Sequence, residues 1–257
     1  MSRGIVYLMY HELELPARPM CQDEPGYVRY VVSASDFVLQ MQSLQKLGLR
    51  GKSVSEALAE PESPGAVITF DDGCETDLIT ATPLLRQLGF SGTFYVTVGF
   101  LDKRGYLSRS QLRELSDLGM EVGSHSMTHP YLPDLSDEEL AREIAASKAE
   151  LERITGRPVH HFSCPGGRWD ERVAVEAQLS GYRSVSTSRV AANSASTNPF
   201  RLGRVAIMRG TSVSRFHALT KGHGLTAMRF NDAIRGSARK LLGNAFYDRL
   251  RARVLSK

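Results

Sequence analysis

Four short apolar runs in this chain each break off into ionisable, polar or glycine residues, and that recurrence limits the fold more than anything else. The runs are Leu8-Met9-Tyr10-His11, Val67-Ile68-Thr69-Phe70-Asp71-Asp72-Gly73, Glu121-Val122-Gly123-Ser124-His125-Ser126-Met127-Thr128-His129 and His161-Phe162-Ser163-Cys164-Pro165-Gly166-Gly167. Between them lie stretches with helical spacing, such as Phe37, Met41, Leu44 and Leu47. Short apolar strands alternating with amphipathic helices predict an α/β chain. In a barrel of this kind the C-terminal strand ends share one face, and sites assemble there from several strands. Four strand ends rich in Asp and His are what such a site requires.

The pattern predicts strands at Ile5–Met9, Ala66–Phe70, Thr93–Val98, Met120–Gly123, His160–Ser163, Tyr182–Thr187 and Leu202–Ile207. It predicts helices at Ser35–Leu47, Thr76–Leu88, Ser110–Leu118, Ser136–Thr155, Glu171–Leu179 and Val213–Leu219. Glycines 48, 89, 119 and 156 follow the first four, as expected past a helix C-terminus. Ser136 and Glu139 have the spacing of a capping box. The alternation stops near Gly222–Gly224, which divides the chain into a barrel over 1–222 and a tail over 223–257. Within the tail, Ala227–Leu255 reads as an amphipathic helix pair with Ile234, Ala238, Leu241, Leu242, Ala245, Phe246 and Leu250 on one side.

At 257 residues and 42% hydrophobic, the chain can bury one substantial core, and a barrel takes this length as a single domain. Three cysteines, Cys21, Cys74 and Cys164, are too few and too odd a number for a disulfide framework and fit a reducing compartment. The first apolar run is too short for a signal peptide. No stretch approaches the roughly 20 apolar residues of a membrane span. The expectation is a soluble, cytoplasmic protein.

The net charge of +4 is uneven. Residues 221–257 hold nine Lys or Arg against two acids, leaving 23 basic and 26 acidic groups elsewhere. An acidic body and a tail without a recognition motif argue against nucleic acid as a partner. The tail is either a solvated helix face or an attachment to an anionic membrane surface, which would make the protein peripheral to the membrane.

Asp71-Asp72 leaves an apolar strand as adjacent carboxylates, which cannot both ionise comfortably in a half-buried site. A cation resolves the conflict: one carboxylate binds it and the other stays free as a base. Asp-Asp-Gly is also ordinary turn chemistry, so the dipeptide alone decides nothing. His125 and His129 shift the balance. Two imidazoles four apart meet on one face if the segment turns helically. With one carboxylate they make three ligands and leave a position open for water.

Thr69-Phe70-Asp71-Asp72-Gly73 and His125-Ser126-Met127-Thr128-His129 resemble the first two motifs of the NodB-homology polysaccharide deacetylases (carbohydrate esterase family 4). Phe162-Ser163-Cys164-Pro165-Gly166-Gly167 resembles the third, less specifically. The resemblance runs from about Ile5 to Leu219. It implies a distorted (β/α) barrel and the metal-dependent removal of an N-acetyl group from an amino sugar in a polysaccharide or lipid-linked glycan precursor. Carried over by position, Asp71 is the general base, and Asp72, His125 and His129 hold a divalent transition metal, usually zinc. The Gly166 backbone N–H is then a donor to the oxyanion. Two other readings share the motif set: a deformylase of a lipid-linked amino sugar, and an inactive sugar-binding scaffold. The intact Asp-Asp pair and His-x-x-x-His argue against the scaffold.

Three departures from the family pattern stand out. Ser163 occupies the position where many members carry the Arg that holds the base, and Arg204 is the candidate to supply that guanidinium from another strand end. Gly166 replaces an aromatic that walls the sugar site; Trp169 is either its substitute or a core indole. The family's final Leu-x-His motif is not evident, since His217 lies in a helical context. Leu8-Met9-Tyr10-His11 instead resembles the N-terminal Tyr-His segment of the poly-N-acetylglucosamine deacetylase branch, with the motif order permuted. That makes His11 the candidate general acid, the alternative being a structural histidine at a strand end. Cys74 and Cys164 read as small packed residues.

Overall fold

The computed structural model describes residues 4–230. Eleven strands appear in chain order: β1 (Ile5–Tyr10), β2 (Leu13–Glu14), β3 (Val32–Ser33), β4 (Arg50–Lys52), β5 (Gly65–Asp72), β6 (Thr93–Val96), β7 (Glu121–Ser124), β8 (His161–Ser163), β9 (Ser184–Ser186), β10 (Ala192–Asn193) and β11 (Val205–Ala206). The main sheet has the order β10-β1-β5-β6-β7-β8-β9, with β4 also on β5 and β11 also on β1. All its pairings are parallel except that of β1 with β10. Leu202 bridges Ser186 of β9, and three residues later Val205 pairs with Leu8 of β1. The segment from Leu202 to Ala206 thus leans first on one end of the sheet and then on the other, curling it into a distorted barrel. β2 and β3 form a separate two-stranded ribbon that the sequence pattern does not reveal.

Strand alternation sorts the apolar residues into two cores. Val6, Leu8, Tyr10, Ala66, Ile68, Phe70 and Phe94 face the helices, where they meet Phe37, Met41 and Leu44. Tyr10, Phe70 and Phe94 stack in sequence at centroid separations of 5.3 and 5.0 Å. Ile5, Tyr7, Val67, Tyr95 and Leu202 face the other way, into a smaller cluster inside the curl. Thr69 and Asp71 fall on this second face by the same alternation, as does His11 one step past β1.

The six helices expected between Ser35 and Leu219 all form, with local adjustments. Ser53, Ser108 and Ser136 each make the full reciprocal capping box. The segment expected as one helix over Thr76–Leu88 is a π-helical turn, Asp77–Ala81, followed by an α-helix over Thr82–Gln87. Pro83 explains the break: it has no N–H to give, and the wider turn before it absorbs the missing bond. The helix expected over Ser136–Thr155 contains a similar turn at Arg142–Ala146. Among the described residues no helix is long and apolar enough to cross a membrane. The expected helix pair beyond residue 230 lies outside the described residues.

Candidate active site

Register sets the expected strand ends side by side. Tyr10 of β1 lies opposite Phe70, so His11 follows beside Asp71. Asp71 and Asp72 lie opposite Tyr95 and Val96, and Val96 opposite Ser124, the residue before His125. Ser124 pairs with Phe162, the residue before Ser163. All four motifs therefore meet at one edge of the barrel, as expected.

Arg204 is buried, with 1% of its surface exposed, and every N–H of its guanidinium is used. Nε donates to the Thr187 carbonyl at 3.0 Å. Nη1 donates to Asp71 Oδ1 at 2.6 Å and to Thr69 Oγ1 at 3.2 Å. Nη2 donates to Asp71 Oδ2 and to Ser163 Oγ, both at 2.7 Å. The contact expected between Arg204 and Asp71 is thus a buried fork-to-fork pair. Burial alone would raise the Asp71 pKa, but the Arg204 and His125 charges outweigh it and hold the carboxyl well below the usual range. Ser163 helps orient the same guanidinium, a role the sequence did not suggest.

Asp72 departs from the strand with φ +82° and turns toward the two histidines. The turn continues through Gly73 at φ +85°, where a Cβ would come within 2.9 Å of Val96. Asp72 Oδ1 lies 3.6 Å from His125 Nε2 and 3.4 Å from His129 Nε2. His125 Nδ1 is 2.8 Å from the Ser163 carbonyl, which can only accept. Nδ1 therefore carries the proton, and Nε2 keeps its lone pair toward Asp72. Burial lowers the His125 pKa to about 3 and, with the Asp71 charge added, raises that of Asp72 to about 6. Asp72 Oδ1 is buried with no hydrogen-bond partner. An orphaned carboxylate oxygen facing lone-pair nitrogens fits a divalent cation, and nitrogen with oxygen is a donor set that zinc accepts.

The His-x-x-x-His segment reaches this geometry without the helical turn that its spacing would have allowed. Ser126 and His129 both have φ of +70°. Polar side chains hold the loop in that shape. The His129 N–H donates to Ser126 Oγ at 2.9 Å, and the Glu143 carboxylate accepts from the N–H of Met127 at 2.9 Å and of Thr128 at 2.8 Å, and from the Thr128 hydroxyl at 2.6 Å.

His11 is half-buried, with its ring 5.1 Å from that of Tyr30 and its Nδ1 buried without a partner. It is near enough that a positive charge on it lowers the pKa of both Asp71 and Asp72. Gly166, at φ +58°, lies in the Pro165–Gly167 turn, whose bonds run from Gly167 to Cys164 and from Arg168 to Pro165. A Cβ on Gly166 would come 2.9 Å from Tyr131 Cε1, so an aromatic ring does stand at this position, borrowed from elsewhere in the chain. Tyr131 lies two residues past His129, and nothing in the sequence tied it to Gly166. Trp169 donates to the Phe200 carbonyl at 2.8 Å beneath the Arg201 guanidinium, which is the structural alternative. Cys164 is buried in the core, and burial raises its thiol pKa.

A sequence profile of the family described as Polysaccharide deacetylase matches residues 59–185. YxkH of Bacillus subtilis, assigned by name to the polysaccharide deacetylases, is 28% identical over 193 residues, 73% of this chain and 69% of that protein. A peptidoglycan-N-acetylglucosamine deacetylase of Bacillus cereus is 37% identical over 123 residues, 46% of this chain; the chain spans about half of that relative, 54%. Among solved structures, BC0361, a polysaccharide deacetylase from Bacillus cereus, superposes with a TM-score of 0.73 at 27% identity, over 84% of this chain and 68% of that one. The matched region carries Asp71, Asp72, His125, His129 and Gly166, while His11 and Arg204 lie outside it. On these likenesses, in sequence and in fold, residues 59–185 carry the polysaccharide deacetylase (NodB, carbohydrate esterase 4) domain, that of a family of metal-dependent carbohydrate N-deacetylases.

Proposed function

We propose that this chain hydrolyses the N-acetyl group of an amino sugar carried in a polysaccharide or a lipid-linked glycan precursor, with zinc held by Asp72, His125 and His129. The observation that carries this reading is the buried Asp72 Oδ1, which lacks a hydrogen-bond partner and faces two imidazole nitrogens. A divalent cation there supplies a Lewis acid that activates water and polarises the amide carbonyl. Asp71, ionised and fixed by Arg204, takes the proton that water loses. The Gly166 N–H donates to the carbonyl oxygen as negative charge builds on it. His11 gives a proton to the departing nitrogen. Water's oxygen joins the acetyl carbon, the C–N bond breaks, and acetate leaves beside a free amine. A cytoplasmic location is part of the proposal and rests on three unpaired cysteines.

The test is metal analysis of the purified chain, followed by measurement of acetate and formate released from free and lipid-linked N-acyl sugars. Acetate release that disappears with the metal in His125→Ala or His129→Ala is the expected result. Formate alone would move the assignment to deformylation, and neither acid from metal-replete protein would leave a sugar-binding scaffold. His11 has its own check. His11→Ala should slow amide cleavage far more than cleavage of an activated acetyl ester, whose leaving group needs no proton. Equal losses would give His11 a structural role.

A further inference from the structure

We propose that Glu12, Cys21 and Cys74 form a second metal site, taking a thiophilic divalent cation such as zinc and sharing no ligand with Asp72, His125 and His129. The two sulfurs lie 3.6 Å apart. That is far beyond a disulfide bond of about 2.05 Å. It is close to the roughly 3.8 Å that separates two thiolates on one tetrahedral zinc with Zn–S bonds of about 2.3 Å. A Glu12 carboxylate oxygen and both sulfurs lie within 4.8 Å of one another.

The surroundings are built rather than incidental. Glu12 is only 2% exposed. Its oxygens accept from the Cys21 N–H at 3.2 and 2.9 Å and from the Tyr27 hydroxyl at 2.9 Å. That hydroxyl is also 3.5 Å from Cys74 Sγ. The Gly105 carbonyl is 3.1 Å from Cys21 Sγ, a further oxygen donor at the same place. Only glycine allows this approach: φ there is +88°, and a Cβ would sit 2.8 Å from the sulfur.

An independent observation points to missing positive charge. Asp77 is completely buried, and neither of its carboxylate oxygens has a hydrogen-bond partner. Burial raises its pKa well above the usual carboxylate range, and the neighbouring Cys21, Asp72 and Glu12 raise it further. Among the described residues no Lys or Arg pairs with Glu12 or Asp77; the nearby Arg18 is engaged with Glu75. Buried acids and thiols without a counter-charge are what a bound cation would relieve. Cys21 is half-buried, so the cation has access from solvent. Once bound, with the thiol protons released to solvent, it would tie the loop that begins at His11 to the turn that begins at Asp71.

Cobalt(II) titration of the full chain, demetallated and held in a non-thiol reductant, tests this. Two equivalents should bind, one of them producing the near-ultraviolet charge-transfer absorption of cobalt–thiolate bonds. Cys21→Ser should lose that absorption and one equivalent. His129→Ala should lose the other equivalent and keep the absorption, which separates failure here from failure of the active-site reading. Glu12→Gln, with folding checked by circular dichroism, should weaken the absorbing site at least tenfold. Wild-type protein without the absorption, or Cys21→Ser with the absorption and stoichiometry unchanged, would overturn the proposal. So would recovery of a Cys21–Cys74 disulfide under the reductant.

Discussion

Asp71 and Asp72 are neighbours in sequence and opposites in environment. Alternation along β5 gives Asp71 to Arg204 inside the curl, while a left-handed turn gives Asp72 to the two histidines. The first stays ionised and the second is pushed up to about 6 by burial and by its neighbour's charge. One strand end thus separates the base from the ligand. Asp71→Asn should keep the metal and lose turnover by at least the roughly 10²-fold typical of a general base. It should also destabilise the fold by about 3–5 kcal/mol, because Arg204 would be left buried without its counter-charge. Metal content, turnover and a melting curve on the same sample check all three, and turnover near wild type would reassign the role. The ligand set was legible in sequence because all its members sit in two short motifs. Arg204 was legible only through family resemblance, since the pair it forms spans 133 positions. Tyr131 beside Gly166 was not legible, because proximity across a barrel mouth leaves no periodic trace.

The loops between elements carry as much of the site as the strands do. His129 owes its position to a loop whose N–H groups end on the Glu143 carboxylate. Glu143→Ala should leave the fold intact and lower metal affinity by about 10- to 100-fold, as loss of supporting hydrogen bonds around a metal typically does. Competition against a chromophoric chelator measures this, and unchanged affinity would sink it. Glu121, at the start of β7, joins three elements: it accepts from the N–H groups of Val54 and Ser55 at a helix start, pairs with Thr93, and faces the His161 ring at 3.4 Å. Burial opposes its charge, but these partners prevail and lower its pKa from 4.5 to about 2. The stability it supplies is therefore present in full above pH 4.5 and is lost as pH falls through about 2. Glu121→Gln should cost up to about 3 kcal/mol at neutral pH, with the difference closing in acid. Denaturant melts across pH check it; a cost independent of pH would point to shape rather than charge. Strands and helices were legible because their apolar periods are strong. The π-helical turn before Pro83 and the β2–β3 ribbon were not, since one answers to a single proline and the other to pairing across a long loop.

At the scale of the whole molecule, the sheet closes through Leu202–Ala206, and the barrel is complete before the basic tail begins. The chain's excess positive charge lies in that tail: nine Lys or Arg against two acids over 221–257, beside a body with three more acids than bases. Residues 231–257 lie outside the described residues, so their role is argued from sequence. They combine an apolar stripe of Ile234, Leu241, Leu242, Phe246, Leu250 and Val254 with clustered Arg and Lys. A stripe of this length covers a core or rests on an anionic bilayer, where each basic residue adds about 1 kcal/mol. The prediction is the first outcome, in which the stripe packs on the barrel and the charges stay in water. Co-sedimentation with anionic liposomes should then show no binding by the full chain, and a chain ending near Gly222 should lose solubility because its covering stripe is gone. Salt-sensitive binding by the full chain alone, with the shortened chain soluble and active, would reverse the assignment. The tail would then hold the enzyme at a lipid surface, within reach of lipid-linked sugars, without any spanning helix.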